Sequence, residues 1–241
     1  MKSFIFCTSY IGRYQRDRSL SRYSKWCNYY IPRAKEFGAS HVFLIDDGTP
    51  LPRLKKLKIP IINAEGPLPK TLPGKAVIFR FPKRYGRSSI SVYPGWWRSF
   101  SFSSQLAKHY GFDKVIHVES DAYVLSPRMA KALSRINKGW NVLWCPRWKF
   151  PECSIQIIGK DSIAALNQYW KAGKKFWFKK RNNSEFAERI LPFTNIIKSF
   201  KGDRFGEYRR TVPVNADFVC QAVSPMRFDR FLRNKLKSAS E

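Results

Sequence analysis

Residues 114–125 read KVIHVESDAYVL, and the order of residue types within them decides the fold. KVIHV is a short run rich in Val and Ile, the pattern of a strand covered on both faces in a parallel sheet. Two acids follow it directly, Glu119 and Asp121. The arrangement recurs upstream, where HVFLI (41–45) leads straight into Asp46-Asp47. Open α/β sheets bind ligands outside the carboxyl ends of their strands, so both acid pairs fall where a ligand site belongs.

Working outward, FIFCTS (4–9) reads as a first strand and Leu20–Phe37 as a helix with a bend at Pro32. VFLID (42–46), PIIN (60–63) and AVIFRF (76–81) are further strands. Gly95–Tyr110 is a helix stopped by Gly111 at the C′ position. Ser126-Pro127 supplies an N-cap and a first helical residue for a helix to about Asn137. NVLWC (141–145) and SIQIIG (154–159) are strands, and Asp161 to about Lys171 is a helix. Ser184 caps a short helix through Ile190, VPVNADFVCQAV (212–223) is strand-like, and SPMRFDRFLRNKLK is a basic terminal helix. Strand and helix alternate, which predicts an α/β fold with a mixed, mostly parallel central sheet and flanking helices. One domain over 1–241 is expected, about 1–125 forming one half and about 126–241 the other.

Composition sets the outer limits. At 241 residues, 44% hydrophobic and 26% charged, the chain has the balance of a globular domain with a sizeable core. Its five Cys are odd in number and form no C-x-x-C pair, which points to a reducing compartment and excludes a disulfide framework or zinc knuckle. No export signal or membrane-spanning run is visible, so a cytoplasmic protein is expected. Lys and Arg number 45 against 17 Asp and Glu, a net charge of +28, and such a field favours anionic partners. In a chain so short of acids, the clustering of four of them in two pairs is the informative feature.

The order of TSY after the first strand, DDG after the second, a helix beginning WWRSF and then VIHVESDAYVL resembles glycosyltransferases of the GT-A fold. That resemblance implies a sugar-nucleotide donor and Mn²⁺ or Mg²⁺ held by a D-x-D motif. Here the motif is the variant Glu119-Ser120-Asp121. The chemistry is reasonable on its own terms. Transfer from a sugar diphosphate builds negative charge on the departing oxygens, and a hard cation held by one or two carboxylates neutralises it. At i and i+2 of an extended segment, Glu119 and Asp121 would face the same way and address one ion.

The resemblance also places nucleotide-sugar contacts at Thr8, Ser9, Tyr10 and Arg13 and at Asp46 and Asp47, with Ser120 between the metal ligands. A carboxylate after the second strand can accept hydrogen bonds from ribose hydroxyls, although D-D-G-T-P equally suits a turn. Arg98 is expected at a phosphate, where a guanidinium offers a planar, always-charged fork. An inverting transferase needs a carboxylate to take the acceptor proton. The candidates for it are Glu185 first and Glu152 second. Retaining relatives often carry a metal-binding His late in the chain; here His occurs only at 41, 109 and 117, which favours inversion.

The expected partners are a nucleotide-sugar donor and a glycan or glycolipid acceptor. Phe228, Phe231, Leu232 and Leu236 share a face of the terminal helix, with basic residues elsewhere, which allows peripheral contact with an acidic membrane surface. The competing class is a basic nucleic-acid-binding protein without catalytic activity, for which charge and 16% aromatic content would serve. Against it, the basic residues are spread along the whole chain without an RNA-binding motif or zinc-finger spacing, and the acid pairs would repel a phosphate backbone. No G-x-x-x-x-G-K-[ST] occurs, so a P-loop enzyme is not indicated.

Overall fold

The computed structural model describes residues 1–9, 18–89, 92–179, 186–204 and 212–221. Tyr10, Arg13, Glu185, Ser184 and the terminal basic segment lie outside them. The first part of the chain runs β1 (Ser3–Ser9), α1 (Arg18–Arg33), β2 (His41–Asp46), a single turn α2 (Leu51–Leu54), β3 (Ile61–Asn63), β4 (Ala76–Arg80), α3 (Pro94–Tyr110) and β5 (Lys114–Val118). It continues through β6 (Tyr123–Val124), α4 (Pro127–Arg135), β7 (Trp140–Cys145), β8 (Phe150–Gly159), α5 (Lys160–Trp177), α6 (Ala187–Ile190), β9 (Asn195–Ile197), β10 (Gly202–Arg204) and β11 (Phe218–Cys220).

The main sheet has the order β3-β4-β2-β1-β5-β8-β7-β9. From β3 to β5 the neighbours are parallel; β8 runs antiparallel to both β5 and β7, and β9 is parallel to β7. A smaller sheet, β10-β11-β6, stands apart from it. This is the mixed, mostly parallel α/β architecture that the strand pattern predicts.

Alternation along the buried strands sorts the core into two layers. Phe4 and Phe6 of β1, with Phe43 and Ile45 of β2, pack against Trp97, Phe100 and Leu106 of α3. Ile5, Cys7, Val42 and Leu44 point the other way, against Trp26 and Tyr30 of α1 and Met129 and Leu133 of α4. Both layers are apolar because both sheet faces are covered, as a parallel sheet requires. Parity also aims the functional strand: Val115 and His117 of β5 face α3, whereas Ile116 and Val118 face α1.

Most expected boundaries hold within a few residues. Gly111 ends α3 in the left-handed region (φ 65°), and Ser126 Oγ accepts the Met129 amide as the N-cap of α4. In α5, Gly173 (φ 58°) breaks the helical path just beyond the expected end, and the residues after it fold back so that Phe176 packs on Trp97. The expected strand over 212–223 shrinks to β11. Pro213 offers no amide, its carbonyl accepts the Ala216 N–H in a turn, and Val214 is 85% exposed. β6, β9 and β10, of two or three residues each, are too short to leave a periodic signal. No described helix is long and apolar enough to cross a membrane.

Candidate functional site

The acid pair after β5 stands in a turn. The Ala122 amide donates to the Glu119 carbonyl at 2.9 Å, so the expected extended geometry of Glu119-Ser120-Asp121 is replaced by a tight reversal into β6. The physical consequence is that the two carboxylates face different helices. Glu119 turns toward α3, where it accepts from Trp96 Nε1, and it also accepts from Thr8 Oγ1 of β1 at 3.3 Å. Asp121 turns toward α1, where Arg22 Nη2 lies 2.7 Å from its Oδ2 while Arg22 Nε donates to Ser120 Oγ at 2.9 Å.

Between these two helices lies a cavity of about 160 Å³. Its floor is Thr8 and Ser9 at the end of β1, its walls are Glu119 and Ser120 on one side and Arg22 and Tyr23 on another, and Asp47, Gly95, Trp96 and Ser99 close it beneath α3. α3 is 17 residues long and begins at this cavity with Pro94 and Gly95, so the positive end of its dipole faces the space. Ser99, one turn further on, is fully buried, and its hydroxyl has no hydrogen-bond partner among the described residues.

Glu119 is held by a chain of polar groups inside the sheet. Trp140 Nε1 donates to Gln156 Oε1 at 2.8 Å, and the amide nitrogen of Gln156 lies 3.3 Å from His117 Nδ1. That leaves His117 Nε2 as the protonated nitrogen, 3.4 Å from Glu119 Oε1, near enough for attraction though not aligned as a hydrogen bond. Burial works to raise the Glu119 pKa, but His117, Trp96 and Arg22 outweigh it and hold the carboxyl below its ordinary range. Burial pushes Asp121 up; Arg22 opposes this, while Glu119 and Glu152 add to it.

The first acid pair serves the scaffold. Asp46 is fully buried, accepts the Thr49 amide at 2.7 Å and the hydroxyls of Thr49 and Ser9, and has no face left for a ribose. Burial lifts its pKa to about 6 against those hydrogen bonds. Asp47 accepts the amides of Tyr85 and Gly86 and pairs with Arg98. Arg98 in turn is 2% exposed, its guanidinium lying between the rings of Phe81 and Tyr85, 4.0 and 3.9 Å from their centroids, and bonded to the Lys83 carbonyl. Arg98, expected at a phosphate, is thus held inside the protein by Asp47 and the Lys83 carbonyl and does not line the cavity. Asp47 still edges the cavity, but both of its oxygens are engaged.

Glu152, the second candidate base, is likewise fully buried. Its Oε1 accepts the amide and hydroxyl of Ser154 at 3.0 and 2.6 Å, and its Oε2 accepts from Arg204 Nε. With Cys145 Sγ also 3.7 Å from Oε2, the Glu152 carboxylate is engaged inside the protein and does not line the cavity after β5.

Among the expected site residues, Thr8, Ser9, Asp47, Glu119 and Ser120 are brought to one cavity, with Asp121 behind Arg22. Arg22, Gly95, Trp96 and Ser99 are contributors that the sequence reading passed over. The spacing of Gly95 and Ser99, four apart on a helix, puts them on one face and was the available signal. Arg22 left none, because its partner is 99 residues away.

No protein-family model matches the chain, and no curated protein is similar to it in sequence. Solved structures with a similar course of the backbone include a glycosyltransferase involved in glycosylation of the major capsid of PBCV-1 (11% identity over 98% of each chain, TM-score 0.49). HddC from Yersinia pseudotuberculosis matches at 8% identity over 97% of this chain and 98% of its own, with a TM-score of 0.46. A mannosyltransferase from Pyrobaculum calidifontis, solved with GDP-Man and Mn²⁺, matches at 11% identity over 68% of this chain and 46% of its own, with a TM-score of 0.41. Likenesses this distant say nothing of the reaction, which has to come from the residues themselves.

Glu119 and Asp121 offer carboxylate oxygens, the ligand type a hard divalent cation takes, but here they turn to different helices and are engaged by Thr8 and Trp96 on one side and by Arg22 on the other. Arg22 holds one oxygen of Asp121 in a half-buried pair, the two side chains 38% and 16% exposed, and its Nε also holds Ser120, so a cation at Asp121 would have to displace it.

Proposed function

We propose that the chain is a glycosyltransferase that moves a sugar from a nucleotide-sugar donor to a glycan or glycolipid acceptor, with inversion at the anomeric carbon and assistance from Mn²⁺ or Mg²⁺. The observation that carries this reading is the pairing, across one cavity, of the acid-bearing turn after β5 with the N-terminus of α3. A diphosphate needs positive charge and hydrogen-bond donors. The helix end, the unpaired Ser99 hydroxyl and the Arg22 guanidinium supply them here.

In this reading Glu119 and Asp121 would hold the cation, which when bound supplies charge neutralisation at the leaving diphosphate. The chain's own residues do the rest. Trp96 and Thr8 fix the Glu119 carboxylate, with His117 behind it. The buried Asp47–Arg98 pair and the Asp46 turn hold the ends of β1, β2 and α3 in register, so the cavity is preformed. Tyr10 and Arg13, which follow β1 in the chain, are assigned to the nucleotide in this proposal. The net charge of +28 draws an anionic donor toward the cleft.

The test is a thermal-shift panel of UDP-glucose, UDP-N-acetylglucosamine, GDP-mannose, dTDP-rhamnose and CMP-N-acetylneuraminate, with and without Mn²⁺. A ligand that binds only the folded state raises the melting temperature. The expected result is a Mn²⁺-dependent rise with at least one donor; no rise with any would contradict the proposal.

A further inference from the structure

A second cavity, of about 220 Å³, opens beside the smaller sheet and is lined by Lys201, Asp203, Arg204 and Asn215 among others. Glu188 on α6 lines neither cavity but touches Arg204 of the second, and its neighbours reach toward Trp96 and Glu119 of the first. Three contacts locate this residue. Its Oε1 accepts from Arg204 Nη2 at 2.9 Å, and Arg204 lines the second cavity. Its carboxylate, Cys153 Sγ and the Glu152 carboxylate approach within 4.8 Å of one another, and the carbonyl of Ser154, next to Cys153, accepts the Glu119 amide at 2.8 Å. The amide of the preceding Ala187 donates at 3.1 Å to Tyr93 Oη, whose ring lies 5.8 Å from that of Trp96 in the donor cavity.

Resting on the transferase reading above, we propose that Glu188 is the catalytic base, taking the proton of an acceptor hydroxyl presented from the second cavity. The neighbouring charges make it suitable. Arg204 carries one positive charge between two carboxylates, and the fully buried Glu152 takes the Nε side of the fork with both its own oxygens saturated. The trio therefore keeps a net charge of −1. It resides on Glu188, whose side chain is 17% exposed and whose Oε2 has no partner among the described residues.

In the reaction, the acceptor O–H bond breaks and its proton passes to Glu188 Oε2. The acceptor oxygen bonds to the anomeric carbon, and the bond from that carbon to the phosphate oxygen breaks, its electron pair leaving with the nucleoside diphosphate. Arg204 acts as a positioning residue: its planar fork fixes the Glu188 carboxylate without blocking the second oxygen. Lys201 and Asn215 line the second cavity beside Asp203 and Arg204, whose charge is held by Glu152 and Glu188, so its walls offer both hydrogen-bond donors and acceptors to a polyhydroxyl acceptor.

The groups that bear on Glu188 are Arg204 of β10, Glu152 and Cys153 of β8 and Tyr93 ahead of α3. Water can stand in for the acceptor, so the probe is the hydrolysis of whichever donor in the panel stabilises the protein, read as nucleoside diphosphate release across pH at saturating donor. For Glu188→Gln the expected result is a kcat at least tenfold lower, with the acid limb of kcat flattened and the donor-induced thermal shift unchanged. Glu188→Asp, which keeps the carboxylate, should retain the limb at a reduced rate. A Glu188→Gln protein that releases nucleotide at the wild-type rate with the wild-type pH profile would overturn the assignment. Failure of the wild type to bind any donor overturns the transferase reading and this inference with it, whereas a wild type that binds a donor yet releases nucleotide no faster than Glu188→Gln overturns this inference alone.

Discussion

Asp47 at the end of the second strand and Arg98 in the first turns of α3 form an ion pair in which both side chains are 2% exposed. The pair ties the strand that flanks β1 to the helix whose N-terminus faces the cavity. Removing one partner strands the other's charge in the core, a loss that typically costs about 3–5 kcal/mol. Arg98→Met should therefore lower the unfolding free energy by that order, read as a lower urea midpoint. It should abolish donor binding only as far as it unfolds the protein, because the guanidinium makes no contact with the cavity. Normal stability in that variant would remove the scaffold role assigned to the pair.

Gly95 is required by close approach. A Cβ there would overlap the Asp47 carboxylate and press on the Gly86 amide, neither of which can retreat. Gly95→Ala should destabilise by about 1–3 kcal/mol, in the range of overpacked cores, and thermal unfolding will show it. Ser99→Ala removes only an unpartnered hydroxyl, so it should leave the melting temperature of the free protein nearly unchanged while weakening the donor-induced shift.

The buried Asp46 makes a pH-dependent contribution whose sign can be worked out. Its pKa in the folded protein is about 6 against an ordinary 3.8, burial being the main cause. The folded state thus binds a proton more tightly than the unfolded one. Its stabilising contribution is full below about pH 4 and is lost as pH rises through 6, a difference on the order of 3 kcal/mol. Asp46→Asn keeps an acceptor for the Thr49 amide without the charge. It should flatten the dependence of stability on pH between 4 and 6 and be neutral or stabilising at pH 7, as denaturant melts at several pH values will report.

How much of this could be read beforehand divides along physical lines. The buried strands were legible because KVIHV, HVFLI and FIFCTS carry their signal locally, in composition and flanking residues. Gly111 and Ser126 were legible for the same reason, as stop and cap signals. The placement of the acid pairs at strand ends is legible in the sequence, whereas the direction of their side chains is not. Glu119 and Asp121 stand at the end of β5 as expected, but their direction is set by a turn and by Trp96 and Arg22, which sequence spacing does not reveal. Asp46 and Arg98 look like ligand contacts in sequence and prove to be internal, since burial and pairing are tertiary properties. The engagement of Glu152 is hidden for the same reason: it depends on Arg204, 52 residues further on.

Arg22 competes with any cation for Asp121. Replacing it with Met should tighten Mn²⁺ binding to the donor-free protein several-fold, since a positive charge beside the carboxylate is removed, and calorimetry or Mn²⁺ electron paramagnetic resonance will measure it. Donor binding should weaken in the same variant, because the guanidinium lines the cavity. Tighter donor binding would mean that Arg22 only obstructs the site.

A net charge of +28 also favours nucleic acid, and some binding at low salt is expected from charge alone. Competition separates the two classes. Asp121→Asn removes a negative charge from a basic protein, so it should not weaken nucleic-acid binding, yet it should eliminate protection by a donor with Mn²⁺. Submicromolar, structure-selective nucleic-acid binding at physiological salt, with no donor effect, would favour the binding-protein reading instead.

If the turn after β5 binds a donor diphosphate through Glu119 and Asp121, isothermal titration of the stabilising donor into wild type, Glu119→Gln and Asp121→Asn, with Mn²⁺ present and absent, will show it. The expected result is Mn²⁺-dependent binding in the wild type that is lost or weakened at least tenfold in both variants, each remaining folded by circular dichroism. Equal donor affinity in all three proteins, or affinity indifferent to both substitutions and metal, would contradict it.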